Sequence, residues 1–130
     1  HMLYTLIRRF SNVKIIVDHL IRVPQNDQPP YDRAAFLFEL SKYPSLYFKL
    51  STNNVRFSRE GANSPEVFFP RLVKEIPANR IAWGSNYPAS KGSLKEMADE
   101  ARSALSCLSQ SDQEWILAKT AQSLYPALAD

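Results

Sequence analysis

Three short apolar runs restrict what this chain can fold into. Val13-Lys-Ile-Ile-Val17, Leu46-Tyr-Phe-Lys-Leu-Ser51 and Arg80-Ile-Ala-Trp-Gly84 are dominated by β-branched, aromatic and aliphatic residues and are too short for a buried helix, which is the signature of strands. The stretches before and between them carry helical spacing instead: Leu3, Leu6, Ile7 and Phe10, then Ala35 to Leu40, then Phe68, Phe69, Leu72, Val73 and Ile76. Strands alternating with helices imply parallel pairing through right-handed crossovers, an α/β fold. Strands are expected at about 13–18, 46–51 and 80–84. Two further helices follow, opened by the capping boxes Ser93-x-x-Glu96 and Ser111-x-x-Glu114. Three strands are few for an open sheet and too few to close a barrel, which needs eight.

The details of each unit follow from local chemistry. The first run reads as a strand buried on both faces. The second alternates, with Leu46, Phe48 and Leu50 on one face and Tyr47, Lys49 and Ser51 on the other. Asp32 is expected to cap a helix over Arg33 to Lys42 that Pro44 stops. Ser64-Pro65 opens the next helix with proline at its first position, and Pro70 is expected to restart that helix rather than sit inside it. Pro24 to Pro30 and Thr52 to Ser64 read as loops, the second long enough to suggest a functional one.

Composition narrows the function classes. The chain has 130 residues with 45% hydrophobic and 22% charged content, enough for a single domain over residues 1–130 with its own core. Net charge is +3, but lysine and arginine are scattered among acids and no basic run exceeds Arg8-Arg9, which argues against a nucleic-acid partner. No apolar run approaches the roughly 20 residues of a membrane span, and no signal peptide is visible. The lone Cys107 cannot form an internal disulfide, which fits a cytoplasmic setting. His1-Met2 reads as a cloning remnant ahead of a start residue, leaving His19 as the histidine available for function. With no HxH, HExxH or Cys/His cluster, the chain alone offers no histidine-based metal centre and no metal ligand is assigned.

In parallel α/β proteins ligands bind beyond the carboxyl ends of the strands. Here those ends carry Asp18-His19, Ser51 and Ser85-Asn86. Asn86 by itself also reads as a plain turn closing a strand.

Taken in order, Ile16-Val-Asp-His-Leu20, Tyr47-Phe-Lys-Leu-Ser51, Arg80-Ile-Ala-Trp-Gly-Ser-Asn-Tyr-Pro88 and the closing Ala121-Gln-Ser-Leu-Tyr125 resemble the amidohydrolase-2 family of metal-dependent hydrolases. The resemblance implies a partial TIM barrel: three parallel βα units, strands six to eight of the family, with a terminal helix pair. The family's HxH would lie on a missing amino-terminal part. It further implies that His19 faces the site and contacts metal or substrate, although Ile21 replaces the family's glycine. Arg22 resembles an arginine that binds a substrate carboxylate, and Arg56, Lys49 and Ser51 join it as substrate-binding candidates. Arginine suits that task because its fork pairs both carboxylate oxygens. Asn86 departs from the family, which has aspartate there as metal ligand or general base. An amide neither accepts a proton nor balances metal charge.

The expected function is therefore the carboxyl-terminal part of a hydrolase for a small carboxylate or lactone, inactive alone, with His19 and Asn86 as catalytic candidates. Zinc or manganese would belong to the intact family, with none expected in this chain. The alternative is a non-catalytic binding or assembly module that keeps the scaffold. A partial barrel leaves strand edges open and strips cover from Ile15, Val17 and Phe48, so a homo-oligomer is expected.

Overall fold

A computed structural model of the chain describes residues 2–22, 29–61 and 63–126, without the side chains of Met2, Ile21 and Arg22. Helix α1 (Met2–Arg9) leads into β1 (Ile15–Val17), followed by a 3₁₀ turn over Asp18–Arg22. Helix α2 (Ala35–Leu40) precedes β2 (Leu46–Ser51), which runs straight into α3 (Thr52–Phe57). Helix α4 (Pro65–Glu75) crosses back to β3 (Ile81–Gly84), and α5 (Leu94–Leu105) follows. The chain closes with α6 (Gln110–Glu114), a π-helical turn over Trp115–Lys119, and α7 (Thr120–Leu124).

The sheet has the order β1-β2-β3, all parallel. Ile16 pairs with Tyr47, and Lys49 and Ser51 pair with Ala82 and Gly84. Pairing partners share a face, so Ile16, Tyr47, Lys49, Ala82 and Gly84 lie on one side. Leu46, Phe48, Leu50 and Ile81 lie on the other, and all four are completely buried. Against them pack Leu37 and Leu40 of α2, Phe68 and Leu72 of α4, and Leu105 of α5. Each such side chain contributes about 1.5–3 kcal/mol of apolar burial. Helices α2, α4 and α5 thus cover one face. This is one wall of a barrel with that helix layer outside, while on the inner side Ala121, Leu124 and Tyr125 line a cleft with Ile16, Lys49 and Ala82.

That arrangement corrects two expectations. The first strand is not buried on both faces: Ile16 is 42% exposed, whereas Ile15 and Val17 are half-buried. Phe48 keeps its cover entirely, because it points to the helix layer, and the residue that loses cover is Ile16.

Several local readings also change. Residues 52–57 are helical, not loop, because Ser51 and Asn54 form a reciprocal capping box at the end of β2. Tyr31, in left-handed backbone at φ 59°, begins the turn ahead of α2, and Asp32 provides no side-chain cap. The last helical stretch is capped by Ser109, which accepts from the Asp112 amide, two residues before the expected Ser111. Pro70 sits inside α4, with no restart. Ser93 caps α5 as expected, accepting from the Glu96 amide.

Arg80, just before β3, ties the layers together. Its guanidinium donates to the carbonyls of Ser41 (2.7 Å), Tyr43 (2.8 Å) and Leu46 (3.3 Å). It thereby satisfies backbone acceptors where α2 turns into β2. Burial lowers its pKa from the usual arginine value.

Candidate active site

The carboxyl ends of the three strands meet along one rim, and side chains stitch them together. At the end of β1 the backbone turns left-handed at His19 (φ 49°) and Leu20 (φ 47°). That conformation costs a non-glycine residue about 1–2 kcal/mol, and such outliers gather at sites where the surroundings hold them. What holds this one is Asn54, whose Nδ2 donates to the His19 carbonyl at 3.1 Å. The ring of His19, buried, places Nδ1 2.7 Å from Ser51 Oγ at the end of β2. Ser51 is completely buried, and its hydroxyl donates to Asn54 Oδ1 at 2.9 Å.

The second seam joins β2 to β3. Thr52 Oγ1 donates to the Ser85 carbonyl at 2.6 Å. Asn86, also left-handed at φ 60°, donates through Nδ2 to Ser90 Oγ at 3.4 Å, and Ser90 donates to Asn53 Oδ1 at 3.2 Å. Asparagine tolerates this backbone better than most residues, so the turn and the amide are compatible at one position.

Charge enters through Asp18 and Lys49. Lys49 Nζ lies 3.3 Å from Asp18 Oδ1, and His19 Nε2 lies 3.6 Å from Asp18 Oδ2. The lysine stem passes across the face of β3 at Gly84, where a Cβ would stand 2.7 Å from Lys49 Cε. Gly84 therefore makes room for this side chain. Below the rim, a cleft of about 220 Å³ opens on the inner face, lined by Ile16, Lys49, Ala82 and Gly84 and by Leu124 and Tyr125 from the chain's end. Lys49 belongs to both the rim and the cleft, whereas neither His19 nor Asn86 lines that cleft.

The remaining candidates fall differently. Arg56, on α3, grips Glu100 with both arms, Nε to Oε2 at 2.9 Å and Nη2 to Oε1 at 3.0 Å. The hydrogen bond raises the arginine's pKa and lowers the glutamate's. Its fork is thus filled by a protein carboxylate from α5. Ser51 spends its hydroxyl on His19 and Asn54, so direct contact with a substrate requires opening that network. The side chain of Arg22 lies outside the described residues. Asn54 escaped the sequence reading because Ser-x-x-Asn is a weaker capping signal than Ser-x-x-Glu. Its sequence trace is that spacing, directly after a strand.

A divalent cation at this rim would find His19 Nε2 and Asp18, but the Lys49 ammonium already occupies that carboxylate and Asn86 offers an amide. Among the described residues no three His, Cys, Asp or Glu side chains gather. These residues by themselves do not fit a divalent metal.

The amidohydrolase family model matches residues 1–127. Among solved structures the chain is similar to an amidohydrolase from Burkholderia multivorans with bound zinc, at 20% identity and TM-score 0.73, over 95% of this chain and 48% of that one. It is also similar to a Pseudomonas putida protein assigned as a 2-pyrone-4,6-dicarboxylic acid hydrolase, at 20% identity and TM-score 0.68, over 94% and 47% of the two chains. The chain spans about half the length of these structures. A search of curated proteins returned no match. Among the described residues no helix is long and apolar enough to cross a membrane. The solved structures establish the fold, a partial TIM barrel of three parallel βα units, and the match over nearly every residue establishes the lineage: this chain belongs to the amidohydrolase family.

Proposed function

We propose that the chain is the carboxyl-terminal part of an amidohydrolase-type hydrolase for a small carboxylate or lactone, and that it is inactive alone. The observation that carries this reading is the rim itself. Three strand ends bring a buried imidazole, a half-buried ammonium and a strained-backbone amide to one edge of the sheet. Strand ends of this kind are where barrel enzymes place their chemistry.

In this reading Lys49 binds the substrate carboxylate, exchanging its exposed partner Asp18 for the ligand. An ion pair to a carboxylate this open to solvent holds by about 1 kcal/mol or less, so the exchange is easy. The Nε2 of His19 donates or accepts the proton. Asn86 orients water or the scissile carbonyl through its amide, but it cannot take up a proton. The proton uptake that the family's aspartate would provide at this position therefore falls to His19 Nε2 or to a group of the complete protein.

The test is turnover of a panel of lactones by the full-length protein, with zinc or manganese added. Hydrolysis that falls at least about tenfold in Lys49→Met, the loss of one charge-assisted substrate contact, is the expected result. Folded protein without turnover across the panel overturns the reading. Asn86→Asp, which the left-handed backbone accepts, is expected to raise the rate. If that variant gains neither metal affinity nor rate, the chain is better read as a binding module that keeps the barrel scaffold.

A further inference from the structure

We propose that Asn54 and Ser51 are positioning residues that commit His19 to the Nδ1–H tautomer, making Nε2 the nitrogen that faces the chemistry. This deepens the reading of His19 as a site residue and rests on it only for its functional meaning.

The derivation is a count of protons and lone pairs. Asn54 receives the Ser51 backbone N–H on one side of its amide (2.9 Å) and meets the His19 carbonyl on the other (3.1 Å). A backbone N–H only donates and a carbonyl only accepts, so the first contact must be Oδ1 and the second Nδ2. The amide has one possible orientation. Its Oδ1 also lies 2.9 Å from Ser51 Oγ. Because that oxygen cannot donate, the single hydroxyl proton of Ser51 points at it.

Ser51 Oγ is then left with lone pairs only. One receives the Asn54 backbone N–H at 3.4 Å, the cap of α3. The other faces His19 Nδ1 at 2.7 Å. A short contact between a lone pair and an imidazole nitrogen is favourable only if that nitrogen carries a proton. His19 is therefore protonated at Nδ1 whether the ring is neutral or charged, and Nε2 is the nitrogen that gains and loses a proton beside Asp18, 3.6 Å away. Neutral imidazole in water prefers the opposite tautomer, so the protein imposes this one.

Asn54 fixes the residue twice: through Ser51 it sets the ring, and directly it holds the carbonyl of the left-handed His19 backbone. The group that hydrogen-bonds the other ring nitrogen of a site histidine normally sets its tautomer in this manner. Here that partner sits on the next strand and is itself locked by a helix cap, so ring, backbone turn and helix start move as one unit.

Long-range nitrogen–proton correlation spectra of the imidazole, recorded where the ring is neutral, read the tautomer directly and need no substrate. The His19 signals are assigned by difference against His19→Gln. Wild-type protein is expected to show Nδ1–H. Ser51→Ala and Asn54→Ala are expected to shift the tautomer ratio toward Nε2–H by at least about fivefold, the worth of one ordinary hydrogen bond. Ser51→Thr and Asn54→Asp, which keep the hydroxyl and the Oδ1 acceptor, should retain Nδ1–H, and they keep the test open if an alanine variant fails to fold. Nε2–H in the wild type, or a folded Ser51→Ala protein with an unchanged ratio, overturns the proposal. Absence of hydrolytic activity would not change either spectrum, so the two readings fail separately.

Discussion

The two faces of the sheet are built from the same three strands and behave as different materials. On the helix side Leu46, Phe48, Leu50 and Ile81 are sealed without exposure. On the other side Ile16 is 42% exposed, Lys49 holds a solvent-exposed carboxylate, and Gly84 leaves a slot for the lysine stem. Alternation along a strand guarantees that there are two sets of residues. Which set is sealed depends on where the crossover helices lie, and right-handed crossovers put all of them on one side. The sealed face stabilises the domain, while the open face and its rim hold the groups able to do chemistry.

The comparison is broken most directly by truncation. Phe48→Ala should cost about 3–5 kcal/mol of unfolding free energy, as for a fully buried aromatic side chain. Ile16→Ala should cost less, about 1 kcal/mol, because Ile16 is already 42% exposed. Denaturant titration of both variants measures the difference. Equal losses would mean that the inner face is covered in solution.

Such cover is itself a prediction. An open apolar face beside unpaired strand edges favours self-association, and Ile16→Lys should weaken it by about tenfold, some 1.4 kcal/mol. Light scattering across a concentration series decides it, and a monomer at every concentration would remove the idea.

The smallest expected effect concerns the Arg56–Glu100 pair, which clamps α3 to α5 at the rim. The hydrogen bond from Arg56 holds the Glu100 carboxyl below the ordinary glutamate range. A carboxyl that titrates lower in the folded state than in the unfolded one stabilises fully above its unfolded value. That stabilisation is lost as pH falls through the folded value. Glu100→Gln should therefore flatten the acid limb of the stability profile, at a cost below about 1 kcal/mol near neutrality. An unchanged acid limb would show that the pair adds nothing to folding.

Reading the chain as sequence succeeded where the signal was local and repeated. The second strand was expected at 46–51 and is found there, because its alternation and its turn residues agree. Ser93 caps its helix as its spacing predicts. The reading failed where the decisive partner was distant or the signal ambiguous. Thr52 to Phe57 looks polar enough for a loop, but Ser51 and Asn54 cap it as a helix whose Val55 is buried in the core. Arg56 looks like a free anion clamp until α5 brings Glu100 against it, 44 residues away. His19 could be placed at a strand end, but the nitrogen it presents depends on a serine and an asparagine from the next unit.

Periodicity, strand-end motifs and the order of elements are properties of neighbouring residues, so the sequence by itself determined the α/β class, the parallel order and the family. The tertiary structure alone decided which face is open, which cations are already paired and which tautomer His19 adopts. Each of those is set by contacts across strands and helices, where the free energy of a side chain depends on what the fold has brought beside it.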